Sequence, residues 1–200
     1  MAEKKVNKSI IKSVLLGIFF VVIILMYVNH LADTSNEADN SSKGVDRNEM
    51  TQLIEYDMDS QYPKTPRELV KLHCRYYKLV YGNNLSDEEL ATVSSKMRKL
   101  YSSELLAMNP ENAALTALKA DIKKVNEEGY TYKSYTLPET SQIVTYTQNG
   151  KEMATMEVTL ILGVKKEVGY MYIQYVTVKE DGRWKILAWG ESQMGKENAQ

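Results

Sequence analysis

At Gly129 the hydrophobic period of this chain changes, and that change constrains the fold more than any other feature of the sequence. Before it, apolar residues recur every three or four positions; beyond it, every second position. Three helix starts precede the change. Thr65-Pro66-Arg67-Glu68 is a capping box with proline at the first helical position, followed by Leu69, Leu72, Tyr76, Leu79 and Val80 on one face and a stop at Gly82. Ser86-Asp87-Glu88-Glu89 is a second box, leading into Leu90, Val93, Met97, Leu100 and Tyr101. Asn109-Pro110-Glu111 opens a third helix, with Leu115, Leu118, Ile122 and Val125 as its stripe.

After Gly129 the residues read as strands. Tyr130 to Gln148 is rich in aromatic and β-branched residues, and Asn149-Gly150 is a strong two-residue hairpin signal. Ala154, Met156, Val158, Leu160, Leu162 and Val164 alternate with polar residues, one face for a core. The next strand, from Val168 to Lys179, is apolar on both faces, and Glu180-Asp181-Gly182-Arg183 turns it into a last strand from Trp184 to Trp189. Helices followed by an antiparallel meander predict an α+β domain with three helices and four to five strands. Strict alternation puts Trp184 and Trp189, five apart, on opposite faces, with Trp184 in the core and Trp189 on the more accessible side.

Charge and composition narrow the function. Twenty-five Lys and Arg against 26 Asp and Glu leave a net charge of −1, which argues against nucleic-acid binding. The single Cys74 cannot form an internal disulfide or a cysteine-based zinc site. Two histidines, His30 and His73, offer little for histidine-dependent catalysis.

Residues 13–32 carry no charge and rise about 30 Å as a helix, the thickness of a bilayer's hydrocarbon core. No clean pair of small residues follows for signal cleavage, so the expectation is an uncleaved, single-pass transmembrane anchor. Lys4, Lys5, Lys8 and Lys12 precede it, and five carboxylates against Lys43 and Arg47 follow within residues 29–49. This asymmetry predicts a cytoplasmic N-terminus and an external C-terminal domain at the cell membrane. The expected order is a cytoplasmic tail (1–12), the anchor (13–32), a flexible tether (33–54), an extracytoplasmic α+β domain (55–192) and a short tail (193–200).

The meander ending in Asp181-Gly182-Arg183-Trp184-Lys185-Ile186 resembles the nuclear-transport-factor-2-like (cystatin-like, cone-shaped) superfamily, over about residues 62–192. The resemblance implies long strands curling into a half-cone closed by the helices. The tail, anchor, tether and domain together also resemble scaffold subunits of type IV secretion and conjugation machines. They look still more like an uncharacterised single-pass family of anaerobic Gram-positive bacteria. The His/Asp pattern of the cone fold's enzymes is missing here, so the resemblance carries over no catalytic residue.

The remaining candidates are weighed on chemistry. His73 and Cys74 are helix neighbours pointing about 100° apart, so they cannot pair as base and nucleophile; Cys74 reads as core and His73 as half-buried. Fourteen tyrosines against two phenylalanines suggest either a hydroxyl-lined cavity or tyrosine standing in for phenylalanine in the core. Tyr170, Tyr172 and Tyr175, with Trp189, Glu157 and His73, are the candidates for a cavity wall or a partner surface. Asp121, beside the core position Ile122, and Glu157 are carboxylates whose pKa a closed cone would raise. No ligand spacing for a metal, no phosphate loop and no cofactor motif is found. The sequence therefore predicts a membrane-anchored interaction or scaffold module without catalytic activity, with protein partners or self-association at the cell envelope. The alternative is small-molecule binding, or hydrolase or isomerase activity, in the cone cavity.

Overall fold

The computed structural model describes residues 47–164 and 167–192. Helices come first. Among the described residues there are five: α1 (Arg47–Ile54), α2 (Pro66–Gly82), α3 (Asp87–Arg98), α4 (Ser103–Met108) and α5 (Glu111–Glu127). The Thr65 and Ser86 capping boxes form as the sequence predicts, each hydroxyl accepting from the N3 amide and each glutamate reaching back. The two helices beyond the expected three are short. The first, α1, lies in the stretch read as tether, yet Leu53 is fully buried and its carbonyl accepts from the Tyr76 hydroxyl at 3.0 Å. Tertiary packing holds eight residues that propensity alone would not. Ser102 caps α4 by accepting from the Leu105 amide at 3.1 Å, and Leu105 is buried.

Five strands follow: β1 (Tyr130–Thr136), β2 (Val144–Gln148), β3 (Lys151–Val164), β4 (Glu167–Glu180) and β5 (Arg183–Glu191). They form one antiparallel sheet in which β3 pairs β4 along one edge and β1 and β2 in succession along the other. Asn149-Gly150 and Asp181-Gly182 both turn with two positive φ angles (52° and 76°, 49° and 77°), the backbone that tight hairpins need. The outer edge of β5 is closed by residues 100–102: Leu100 C=O accepts from Ile186 N at 2.8 Å, and Ser102 N donates to Ile186 C=O at 2.9 Å.

All the core-forming helices sit on one face of this sheet. Met156, Val158, Leu160 and Leu162 of β3 meet Ile173 and Tyr175 of β4 and Ile186 of β5 there, packed on Leu53, Leu69, Val70, Tyr76 and Leu79. The core face read along β3 is therefore correct. The opposite, outer face carries Met153, Thr155, Glu157, Thr159 and Ile161 of β3, paired with Val178, Val176, Gln174, Tyr172 and Tyr170 of β4. None of these outer residues belongs to the main core.

Two β-bulges break the alternation. In β5 the register passes from Val176↔Ala188 to Thr177↔Ile186, leaving Leu187 extra. Paired residues share a face, so Trp184, Ile186 and Trp189, opposite Lys179, Thr177 and Tyr175, all point toward the helices. The expectation that the two tryptophans oppose each other is corrected by this one inserted residue. In β1 the register jumps between Tyr132 and Ser134, so Lys133 is extra and Tyr132 and Tyr135 both point inward. Gly163 lies against this bulge: a Cβ there would meet Lys133 Cε at 2.5 Å and Thr131 Oγ1 at 2.6 Å, so those side chains would have to move aside.

The expected fold class included a transmembrane helix, and that part is not supported: among the described residues no helix is long and apolar enough to cross a membrane. Residues 13–32, with the tails 1–12 and 193–200, lie outside the described residues. What holds is α+β, with five helices rather than three beside a five-stranded antiparallel sheet.

The bulge reverses the expected ranking of the tryptophans. Trp189→Ala is expected to lower stability by roughly 3 kcal/mol, the loss usual for a large packed aromatic, and Trp184→Ala by about half as much. Urea unfolding of both variants checks this; an equal or larger loss at Trp184 would show that the Leu187 bulge does not turn Trp189 inward.

Candidate functional site

Spacing along α2 builds the site. His73, Tyr77 and Tyr81 are four residues apart, so they stack on one helix face, with ring centroids 4.8 Å and then 5.2 Å apart. Other elements bring rings to the same stripe: Tyr101 from the segment after α3, Tyr175 from β4 and Trp189 from β5. Trp189 Nε1 donates to the Tyr77 hydroxyl at 2.9 Å. The Tyr81 hydroxyl donates to Asp121 of α5.

His73 lies at the centre with no exposed surface, not half-buried as its sequence position implies. Its Nδ1 lies 3.1 Å from the Tyr175 hydroxyl and its Nε2 3.2 Å from the Tyr101 hydroxyl. A neutral imidazole satisfies both, one nitrogen donating and the other accepting. Burial holds its pKa down to about 3. Cys74 Sγ lies 3.8 Å from the same Tyr175 hydroxyl, and burial pushes the thiol up to about 12. The two helix neighbours thus meet only through a shared tyrosine. A thiol so seldom ionised and an imidazole so reluctant to take a proton make no nucleophile and base.

The candidates drawn from sequence fall into two groups. His73, Tyr175 and Trp189 come together on the inner face. Tyr170, Tyr172 and Glu157 lie on the outer face, where Ser192 Oγ donates to the Glu157 carboxylate. Tyr77, Tyr81, Tyr101 and Tyr132 were not singled out. The four-residue spacing of 73, 77 and 81 is visible in the sequence; the contributions of Tyr101 and Tyr132 depend on a loop path and a bulge.

Two clefts flank the Tyr81–Asp121 contact. One, of about 70 Å³, runs between α2, α3, α4 and α5 past Met97, Leu105, Leu118 and Trp189. The other, of about 50 Å³, lies between α2, α5, β1 and β3 and is walled by Val125, Tyr132, Leu160, Leu162 and Met171. Tyr77, Tyr81 and Asp121 border both. Burial raises the pKa of Asp121, while the Tyr81 hydroxyl and the charge of Lys124 oppose the rise. The Tyr132 hydroxyl is buried with no hydrogen-bond partner among the described residues. Leaving such a group unsatisfied costs about 1–3 kcal/mol. No group of three His, Cys, Asp or Glu among the described residues is placed to hold a metal ion.

The buried imidazole makes stability pH-dependent. The unfolded chain takes up a proton at the ordinary imidazole value near 6.5, the folded chain only near 3, so acid favours unfolding. His73 is neutral in both states above pH 7 and costs nothing there; the loss grows by about 1 kcal/mol per pH unit as the pH falls below 6.5. Urea unfolding between pH 7 and 5 should show this slope, and His73→Phe should flatten it. An unchanged slope in the variant would mean that the imidazole is not held neutral.

Comparisons with known proteins add a family and little else. No curated protein matches the sequence. Among solved structures, the crystal structure of the intermembrane space region of chloroplast protein ARC6 is similar at 14% identity, covering 64% of this chain and 98% of that one. Its TM-score of 0.29 is too low to carry an argument about fold or function. Residues 1–189 match the family described as a domain of unknown function, DUF6715, and the chain belongs to that family.

Proposed function

We propose that this domain is a non-catalytic interaction module that docks through the outer face of its sheet, and that the occupant is a second copy of the chain. The observation that carries the reading is the row Val168, Tyr170, Tyr172, Gln174 and Val176 along β4, beside Ile161 of β3 and most exposed at Val168 and Tyr170. Four large apolar residues are notably exposed among the described residues. Three of them, Val144, Val168 and Tyr170, lie on this face at 59%, 59% and 64%. An apolar patch of this kind on a soluble surface marks a contact site.

Charge favours a second copy. Along the outer rows of β3 and β4 from 153 to 161 and 168 to 178, Glu157 is the one ionisable carboxylate, and Ser192 already donates to it. So sparsely charged a face suits an equally apolar partner, and aligned sheets packed face to face interleave their side chains at about 10 Å. A two-fold axis near Gln174 sets the Tyr170 and Tyr172 half of one row toward the shorter Val176 half of the other, a self-complementary contact. The locked His73 and Cys74 support the absence of catalysis.

Cysteine cross-linking tests this on the full chain, because the native Cys74 is buried and will not compete. Gln174→Cys should form a disulfide-linked dimer under mild oxidation, and Lys71→Cys, on the helix side, should not. Adding Tyr170→Asp to Gln174→Cys should reduce cross-linking about tenfold or more, since a carboxylate would be buried in an apolar contact. Equal cross-linking at both cysteine positions, or indifference to Tyr170→Asp, would overturn the reading.

A further inference from the structure

Helix α5 is packed differently from the rest of the body. None of its 17 residues is fully buried, and Leu115, Leu118 and Ile122 only lean on the core. Polar links hold it to its neighbours, among them the Tyr81 hydroxyl to Asp121 and Lys119 to Asp87 at 2.7 Å, an exposed pair of little strength. Under it lie the two clefts, separated by the Tyr81–Asp121 contact. Singly they hold only a few waters. Joined, they approach the size of a cavity known to take a benzene-sized molecule, about 150 Å³.

Tyr77, Tyr81 and Asp121 border this space and also tie the helices and sheet together, but one group facing it has no structural partner among the described residues. Tyr132 is 7% exposed, and its hydroxyl is without a partner among the described residues. Phenylalanine would fill the same volume with no stranded hydroxyl. The Lys133 bulge turns both Tyr132 and Tyr135 inward, where an unbroken strand would send one outward. The Tyr77 hydroxyl accepts from Trp189, which leaves its own hydrogen for an acceptor. The remaining wall is mostly apolar, with Val125, Leu160, Leu162 and Met171 beside Tyr130 and Thr131 of β1.

We propose that the clefts beneath α5 bind a small, neutral, mostly apolar molecule bearing one carbonyl oxygen, with the Tyr132 hydroxyl donating to that oxygen and α5 serving as the lid. The mostly apolar wall selects an apolar body, and hydroxyls without acceptors select an oxygen that accepts. The Asp121 carboxylate disfavours an anion. Its hydrogen bond from Tyr81 makes it the latch that must open for the clefts to join. This site is on the opposite face of the sheet from the self-association surface and does not depend on it.

Cyclohexanone and methylenecyclohexane, equal in shape and differing only in the oxygen, are the probes, with cyclohexylamine as the cationic counterpart. Each is titrated into the full chain while the methyl resonances of Met171, Leu160 and Leu162 are followed. Cyclohexanone should shift these methyls and bind about tenfold more tightly than methylenecyclohexane, the worth of one buried hydrogen bond. Tyr132→Phe should remove that preference while leaving the melting temperature unchanged or higher, a result that loss of folding cannot mimic. Leu162→Trp, which fills the cleft, should abolish binding of both probes. The proposal is overturned if cyclohexanone moves none of these methyls, if it binds wild type and Tyr132→Phe equally, or if cyclohexylamine binds more tightly than cyclohexanone.

Discussion

The face of α2 that carries His73, Tyr77 and Tyr81 is the contact on which the rest of this domain depends. Through it the helix meets β4 at Tyr175, β5 at Trp189, the segment after α3 at Tyr101 and α5 at Asp121. The first three join a ring contact to a hydrogen bond from a side chain with both an apolar body and a polar tip, and the last is a hydrogen bond alone. Phenylalanine would supply the rings but not the links at Tyr77, Tyr81, Tyr101 and Tyr175. The imidazole at the centre has a tyrosine hydroxyl at each nitrogen, and burial is what keeps it neutral.

The same arrangement limits the chemistry. A fully buried, neutral histidine and a thiol pushed up to about 12 are structural groups, although their adjacency invites a catalytic reading. The features left without a structural purpose lie elsewhere: an apolar outer row on β4, and a lightly packed α5 over two clefts with a stranded hydroxyl. One is a surface and the other a cavity, and they sit on opposite faces of one sheet.

Several elements were legible in the sequence because their signals are local. The boxes at Thr65 and Ser86 each need only four residues, and the Asn149-Gly150 and Asp181-Gly182 turns only two, to specify their backbone. The core face of β3 follows from alternation alone. Helices α1 and α4 did not show, because eight and six residues are too few for a hydrophobic period. They persist by burying Leu53 and Leu105 against other elements.

The period change at Gly129 by itself determined that helices precede an antiparallel meander, since periodicity reports how each segment presents an apolar face. Tertiary structure decided which faces meet. One extra residue at Leu187 brings Trp189 to the side of Trp184, and one at Lys133 brings Tyr135 to the side of Tyr132. Neither bulge has a distinctive residue of its own; each is set by the pairing of the strand across from it. Alternation is counted along one strand, whereas a bulge is defined between two, and so the composition of the candidate site emerged only when the strands were paired.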